Sequence, residues 1–227
     1  MNVEPYSSGE RRPIASRERK SAQIVAGWLA ARGISPNSIS VAGMVCGIVA
    51  GACFACTGLW PDFQRAAWLL GAILVQLRLL ANMFDGMVAI ATKRASPLGE
   101  LFNEVPDRVS DASILIGVGY SHGGSVAFGF GAACAALFTA YVRAMGKVAG
   151  AQQEFCGPMA KPQRMFLVTL LGVYNGLTPT SWQPVWNSSQ GHLGIAALVL
   201  ALIIAGGLLT AWRRLRRTAA SLKQFSA

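Results

Sequence analysis

The stretch NMFDGMVAIATKRASPLGELFNEVPDRVSD, residues 82–111, decides the fold and is called the acidic window below. It lies between two long apolar segments and contains half of the ten acidic residues of the chain. These acids are Asp85, Glu100, Glu104, Asp107 and Asp111. Ionisable groups at membrane depth are costly and rare, so a cluster of them indicates a functional site. We interpret this cluster as a site for a metal ion and phosphate groups.

The composition around the acidic window is that of a membrane protein. Of the 227 residues, 53% are hydrophobic and 13% are charged, whereas charged residues make up about a quarter of soluble domains. A spanning helix needs roughly 20 mostly apolar residues. Six apolar runs approach that length: 39–58, 65–90, 101–120, 126–146, 165–178 and 193–212. We therefore predict an all-α integral membrane protein with about six transmembrane helices.

The distribution of Lys and Arg predicts the orientation. Basic residues precede the first apolar run, follow the second, surround the loop after the fourth and follow the sixth. The loops at 59–64, 121–125 and 179–191 contain no Lys or Arg. This asymmetry predicts that both termini and the site lie on the cytoplasmic side, and we expect a bacterial inner membrane protein. We attribute the net charge of +10 to basic segments that bind anionic lipid headgroups. No nucleic acid partner is expected.

The chain divides into three predicted segments. Residues 1–19 are polar and basic and are expected to be disordered. The membrane domain covers 20–212 and begins with an amphipathic helix at 20–32, where apolar residues recur at helical spacing. Residues 213–227 are predicted to form a basic cytoplasmic tail.

Two further patterns concern packing and loops. Gly43, Gly47 and Gly51 recur every four residues in the first apolar run, which is typical of helices that approach closely in membranes. The segment 178–191 carries two prolines and two tryptophans, which predicts an external loop with interfacial aromatic residues.

Helical geometry gathers the polar side chains onto two faces. At about 100° per residue, one face of the second apolar run carries Arg78, Asn82, Asp85 and Ala89. An arc of roughly 100° on the third run carries Glu100, Asn103, Glu104, Asp107 and Asp111. A short loop joins the two runs, so we expect their polar faces to meet near the cytoplasmic end. Converging carboxylate and amide oxygens suit a hard cation such as Mg²⁺ or Mn²⁺.

The acidic window resembles the signature of the CDP-alcohol phosphatidyltransferase family. That signature is D-x-x-D-G-x-x-A-R, followed after eight residues by G-x-x-x-D-x-x-x-D. The spacing matches without a gap at Asp85, Gly86, Ala89, Gly99, Asn103 and Asp107. The six-run layout and the amphipathic lead-in also resemble this family, so the resemblance covers residues 20–212.

The resemblance implies a metal-dependent enzyme of phospholipid biosynthesis. Such an enzyme transfers a phosphatidyl or related phosphoalcohol group from a CDP-alcohol, such as CDP-diacylglycerol, to a hydroxyl acceptor and releases CMP. In the family, the first three acids hold one or two divalent ions and the fourth is the general base. The resemblance therefore assigns Mg²⁺ or Mn²⁺ to Asn82, Asp85, Asn103 and Asp107, with Asp107 as the base.

Three positions depart from the signature. The first and third acids are Asn82 and Asn103 here, and the arginine is Ile90. An amide oxygen ligates Mg²⁺ without bringing negative charge, so we expect weaker metal binding. Asp111 lies one turn beyond Asp107 on the same face, which makes a shifted pair of metal-binding and catalytic acids a second hypothesis.

Other side chains are predicted to compensate for these departures. Glu100 or Glu104 would add negative charge, and the missing arginine would be replaced by Arg78, Lys93 or Arg94.

The resemblance also implies substrate positions and partners. The CDP-alcohol is expected to contact Gly86, Ala89, Lys93, Arg94 and Gly99. The phosphate of a phosphorylated acceptor is expected to contact Arg143, Lys147, Lys161 and Arg164. The acceptor stays open among inositol phosphate, glycerol phosphate, serine and choline-type alcohols. Resemblance further suggests a homodimer surrounded by membrane lipids.

Two functions of other classes stay open at this stage. A catalytically degenerate family member would bind CDP-lipid or metal as a regulator or scaffold, and the Asn82 and Asn103 replacements motivate it. An ion-coupled or proton-coupled transporter would need the acids at a water-filled midplane, whereas they cluster at one end of the runs. The enzyme hypothesis predicts near-total loss of function in Asp107→Asn, and the degenerate one predicts none.

Overall fold

The computed structural model describes residues 19–92, 97–188 and 191–225. Within these ranges the chain forms seven α-helices and one small hairpin. The helices are α1 Lys20–Ala31, α2 Pro36–Cys56, α3 Gln64–Ala91, α4 Pro97–Tyr120, α5 Val126–Val148, α6 Lys161–Leu177 and α7 Ile195–Phe225. The predicted all-α fold is confirmed. Residues 1–18 of the predicted N-terminal segment lie outside the described residues.

Six of these helices coincide with the six predicted apolar runs. Among the residues that the structure describes, four segments are long and apolar enough to cross a membrane: Pro36–Cys56, Pro61–Ala91, Val126–Val148 and Ile195–Lys223. The two other helices are α4, which contains four of the five acids of the acidic window, and α6, which has 17 residues. Both are part of the bundle, since α4 packs on α2 and α5, and α6 packs on α3 and α7. The last helix continues through the basic residues after 212, because Arg and Lys favour helix formation.

A β-hairpin begins in the segment predicted as an external loop and ends in the first residues of the sixth apolar run. Strand β1 (Val185–Ser188) pairs antiparallel with β2 (Gly191–Gly194), and Val185 lies opposite Gly194. Val185 and Trp186 belong to the residue types that favour strands. The loop prediction was too coarse here, because strands of four residues give almost no periodic signal in the sequence.

Helix α2 packs between α3 and α4 because one of its faces lacks side chains. Gly43 faces Ala81 of α3, and Gly47 faces Ser110 of α4. A Cβ atom added at Gly47 would collide with the side chain of Ser110. The predicted packing role of the glycine stripe is therefore confirmed. This close packing sets the distance between the polar faces of α3 and α4.

The loop before α6 is fastened to α7. The buried Arg214 of α7 donates hydrogen bonds to the carbonyl oxygens of Cys156 (3.0 Å) and Thr139 (2.9 Å). The backbone N–H of Met159 donates to Thr210 Oγ1 at 3.0 Å. These contacts fix the position at which α6 begins, and its first residue is Lys161.

Helix α1 matches the predicted amphipathic lead-in. It packs on α3, and Ala22 and Ala26 are buried. The side chains of Ile24 and Trp28 are 70% and 51% exposed, so the apolar face points away from the bundle. Such a face is suited to a lipid interface.

Candidate active site

Helices α2, α3 and α4 enclose a small polar cleft. The residues that line it include Ser40, Arg78, Asn82, Asp85, Asn103, Asp107 and Ser110. The predicted meeting of the polar faces of α3 and α4 is therefore observed. The backbones of these two helices contact each other little, and α2 packs against both. Long polar side chains bridge the space between them.

Asp85 has a buried carboxylate oxygen in the cleft that accepts no hydrogen bond from the described residues. Its side chain is 3% exposed, and its Oδ2 accepts a 2.7 Å hydrogen bond from Ser40 Oγ. Its Oδ1 is buried and has no hydrogen-bond partner. A buried carboxylate oxygen without a partner is costly to keep, so its presence at a cleft points to a ligand.

Asp107 lies between two cationic side chains. Its Oδ1 accepts hydrogen bonds from Arg78 Nη2 at 2.8 Å and from Asn82 Nδ2 at 3.1 Å. Its Oδ2 pairs with the ammonium group of Lys161. Lys161 Nζ also donates to Asn82 Oδ1 at 3.3 Å, and Asn82 Nδ2 donates to Asn103 Oδ1 at 2.8 Å. We call Asn82, Asp85, Asn103, Asp107 and Lys161 the cleft cluster.

One turn further along α4, Asp111 is enclosed by arginines and is not among the residues that line this cleft. Its Oδ1 lies 2.7 Å from Arg78 Nη2 without hydrogen-bond alignment, and its Oδ2 lies 3.4 Å from Arg164 Nη2. The side chains of all three residues are at most 2% exposed. Arg164 is held in turn by the carbonyl oxygen of Met159 at 2.9 Å. We call Arg78, Asp111 and Arg164 the inner cluster.

The predicted CDP-alcohol contacts lie beside the cleft or outside the described residues. Gly86 and Ala89 follow Asp85 on α3, and Ala89 is buried. Gly99 lies in the first turn of α4. Lys93 and Arg94 lie in the segment that the structure does not describe.

The predicted acceptor-phosphate residues separate into different surroundings. Lys161 belongs to the cleft cluster and Arg164 to the inner cluster. Arg143 Nη2 pairs with Glu104 Oε1 at 2.7 Å on the rim, and Lys147 is exposed on α5. The structure therefore brings two of the four cations to the polar network around Asp107.

The residues predicted to compensate for the signature departures differ in burial and in their ion-pair partners. Arg78 is buried and binds Asp107, and its role as the replacement for the missing arginine stays a prediction. Glu104 already pairs with Arg108 and Arg143. The side chain of Glu100 lies outside the description, and Ile90 is 55% exposed.

Two polar residues of the site were missed. Ser40 of α2 binds Asp85, and Ser110 Oγ of α4 accepts a 2.9 Å hydrogen bond from Arg78 Nε. A signal for Ser40 was present, because it lies one turn before Gly43 on the glycine face of α2. Ser110 lies inside the window, between Asp107 and Asp111, and its spacing of three residues from Asp107 places it on the same side of α4.

A family model described as CDP-alcohol phosphatidyltransferase matches residues 33–205, most of the chain. This chain belongs to the CDP-alcohol phosphatidyltransferase family. The predictions of the family and of an enzyme of phospholipid biosynthesis are confirmed by this match and by the relatives that follow. The integral membrane character is supported by the apolar helices of the fold.

Two relatives of this chain are named as inositol phosphate synthases. The archaetidylinositol phosphate synthase of Pyrococcus horikoshii is 24% identical over 166 residues, which are 72% of this chain and 82% of that protein. The phosphatidylinositol phosphate synthase of Streptomyces avermitilis is 26% identical over 158 residues, which are 67% of this chain and 62% of that protein.

Solved structures share the fold. Phosphatidylinositol phosphate synthase of Mycobacterium tuberculosis, in complex with manganese and citrate, superimposes with a TM-score of 0.71 at 17% identity, over 88% of this chain and 90% of that one. The same enzyme with CDP-DAG bound gives a TM-score of 0.70 at 16% identity, over 88% and 94% of the two chains.

The side chains of the cleft do not fit the divalent ions that the family signature implies. Within residues 19–92, 97–188 and 191–225, no group of three or more His, Cys, Asp or Glu side chains is arranged to hold a metal ion. Two signature acids are the amides Asn82 and Asn103. Both oxygens of Asp107 contact cationic side chains, which leaves Asp85 Oδ1 as the available carboxylate oxygen.

Proposed function

We propose that this chain transfers a phosphatidyl or related substituted phosphate group from a CDP-linked lipid to a hydroxyl acceptor and releases CMP. The observation that carries the proposal is that Asp85 and Asp107, in register with the family signature, line one polar cleft. The CDP-DAG bound to the mycobacterial relative supports a CDP-lipid as the donor.

The proposed reaction replaces the phosphoanhydride bond of the diphosphate by a phosphate ester bond to the acceptor. The acceptor oxygen attacks the lipid-side phosphorus of the diphosphate, a new P–O bond forms, and the P–O bond to CMP breaks. CMP leaves with the electron pair of the broken bond. The proton of the acceptor hydroxyl passes to a carboxylate, which we assign to Asp107 because it lines the cleft while Asp111 is enclosed by two arginines.

The cationic side chains contribute electrostatic stabilisation in this proposal. Lys161 and Arg78 flank Asp107, so developing negative charge on the transferred phosphate lies near fixed positive charge. The rigid α2–α3–α4 packing orients the reacting groups, which supplies much of the catalysis in phosphoryl chemistry.

The acceptor and the setting are further parts of the proposal. We assign a small alcohol or phospho-alcohol acceptor, and the names of the two inositol phosphate synthases support a phosphorylated polyol. The Lys and Arg distribution supports a bacterial inner membrane with the cleft on the cytoplasmic side. A homodimer is proposed from the resemblance alone and is tested by the mass of the purified protein in detergent.

The test measures CMP release by the purified protein in lipid, with CDP-diacylglycerol, a panel of acceptors, and Mg²⁺, Mn²⁺ or EDTA. Mg²⁺ or Mn²⁺ is included because a relative's structure contains manganese. We expect acceptor-dependent release that Asp85→Asn and Asp107→Asn abolish. Asp62→Asn, an exposed acid in the turn before α3, is the matched control.

A second candidate is favoured by one observation, the amides at two signature positions. A degenerate member would bind CDP-diacylglycerol without releasing CMP with any acceptor. That outcome would replace the transferase proposal by a binding role, whereas absence of both binding and release would contradict both.

A further inference from the structure

The Lys161 ammonium group occupies the point where the signature residues of two helices converge. It contacts Asn82 Oδ1 of α3 at 3.3 Å and Asp107 Oδ2 of α4. Lys161 is not itself among the residues that line the cleft, but it contacts Asn82 and Asp107, which are. Its side chain is 17% exposed and that of Asp107 is 14% exposed. A cation that binds oxygens of both helices at once holds the two faces together as a metal ion would.

The charges of the cleft cluster and the inner cluster already balance without an added ion. The cleft cluster and the inner cluster together contain three carboxylates, Asp85, Asp107 and Asp111, and three cations. These cations are Arg78, Lys161 and Arg164. A signature with four acids would carry two further negative charges at positions 82 and 103, where this chain has amides. The loss of two acids and the presence of Lys161 therefore both make the charge of the site more positive.

The position of Lys161 is fixed by the fold and does not depend on a flexible loop. It is the first residue of α6, and the preceding segment is fastened to α7 through Thr210 and Arg214. An ammonium group offers three donors and a compact charge, which suit phosphate oxygens. The nearby amides of Asn82 and Asn103 donate and accept hydrogen bonds but repel neither the lysine nor a phosphate.

We propose that Lys161 is a built-in cation that takes the place of a divalent ion, so that the diphosphate of a CDP-linked lipid binds this cleft without divalent metal. The identity of the ligand rests on the proposed function. The replacement of the ion rests on the contacts of Lys161 and on the two amides.

The first arm of the test measures binding of CDP-diacylglycerol to the purified protein in lipid nanodiscs, in EDTA and in Mg²⁺ or Mn²⁺. The wild-type Kd is expected to differ by less than about threefold between these conditions. Lys161→Met is expected to weaken binding in EDTA by about tenfold or more, the value of one charge-assisted contact, and Lys161→Arg to recover part of it. Lys223→Met, an exposed lysine at the end of α7, is the matched control. Wild-type binding that is present in Mg²⁺ or Mn²⁺ and lost in EDTA would overturn the proposal.

The second arm restores the acids of the signature. The triple variant Asn82→Asp, Asn103→Asp, Lys161→Met is expected to bind CDP-diacylglycerol in Mn²⁺ and to lose binding in EDTA. A purely structural role of Lys161 would not create this metal dependence. Triple-variant binding that is equal in Mn²⁺ and EDTA would contradict the replacement.

The third arm needs no lipid substrate and therefore separates this inference from the proposed function. Mn²⁺ binding is measured by electron paramagnetic resonance on the wild type and on Asp85→Asn. The wild type and Asp85→Asn are expected to bind the same amount of Mn²⁺, because no Mn²⁺ should bind at Asp85 in the wild type. Mn²⁺ held by the wild type and lost in Asp85→Asn would overturn the inference. If CDP-diacylglycerol bound under none of these conditions, the proposed function would be contradicted. The Mn²⁺ measurement would still test the replacement of the divalent ion by Lys161.

Discussion

The cleft cluster and the inner cluster contain the same kinds of groups one helical turn apart, but their surroundings differ. In the inner cluster, Asp111 is 2% exposed and lies between two buried arginines. In the cleft cluster, Asp107 is 14% exposed and Asp85 Oδ1 has no hydrogen-bond partner among the described residues. Arg78, Asp111 and Arg164 also leave one buried polar atom each without a hydrogen bond, but each of these residues is ion-paired. Buried charges whose partners are all within the protein stabilise one arrangement of helices, whereas charges at a cleft are available to a ligand.

The largest expected effect is on activity, from a change in the cleft cluster. Asp107→Asn should lower CMP release by roughly 10²–10⁴-fold, the usual contribution of a positioned acid or base. The fold should survive, because the amide keeps a hydrogen bond to Arg78 or Lys161. The measurement is CMP release beside thermal unfolding of the same sample, with Asp62→Asn as control. A folded Asp107→Asn variant with wild-type activity would break the comparison.

The inner cluster should respond in the opposite way. Asp111→Asn leaves the buried Arg164 without its charged partner, while Arg78 keeps Asp107. Removing one partner of a buried ion pair typically costs about 3–5 kcal/mol. We expect a large drop in unfolding temperature and in yield. Any variant protein that is recovered should keep measurable activity per folded molecule. If the variant were as stable as the wild type but inactive, Asp111 would be part of the catalytic pair.

A smaller effect is expected at the contact between α2 and the cleft cluster. Ser40→Ala removes the hydroxyl that donates to Asp85 Oδ2. The loss of a hydrogen bond to a charged group is worth about 1.5–3 kcal/mol. We expect reduced activity, measured as kcat and KM, with the larger change in kcat. Ser113→Ala, whose Oγ bonds the Val109 carbonyl oxygen within α4, is the control. Equal effects of the two variants would remove Ser40 from the site.

The smallest effect is expected on the rim. Arg143→Gln breaks an ion pair with Glu104, a residue whose side chain is 42% exposed, and such pairs contribute about 0–1 kcal/mol. Stability should change little. The KM for a phosphorylated acceptor is the sensitive measurement, because Arg143 was predicted to bind the acceptor phosphate. An unchanged KM would restrict that role to the residues nearer the cleft.

Helical periodicity within one segment predicted the parts of the site that a single helix determines. Arg78, Asn82 and Asp85 share a face of α3, and the structure brings that face to Asn103 and Asp107. Spacing also put Asp111 on the face of Asp107. It did not predict the enclosure of Asp111, because four residues advance about 6 Å along the helix axis, here into the buried part of the bundle.

Contacts between distant segments were beyond the reach of the sequence. The hydrogen bond from Ser40 to Asp85 joins α2 and α3, and the pairing of Lys161 with Asp107 joins α6 and α4. Neither helix shows a local pattern that identifies its partner. The family resemblance supplied the fold and the reaction, but it implied a metal site that the amides and Lys161 of this chain do not fit.

The most direct test of the account is an experimental structure of the protein in lipid with CDP-diacylglycerol and EDTA. The account predicts the diphosphate in the cleft between α3 and α4, with a phosphate oxygen within hydrogen-bond distance of Lys161 Nζ and with Asp111 still enclosed by Arg78 and Arg164. A diphosphate bound away from Lys161, or bound there only when a divalent ion is added, would contradict it.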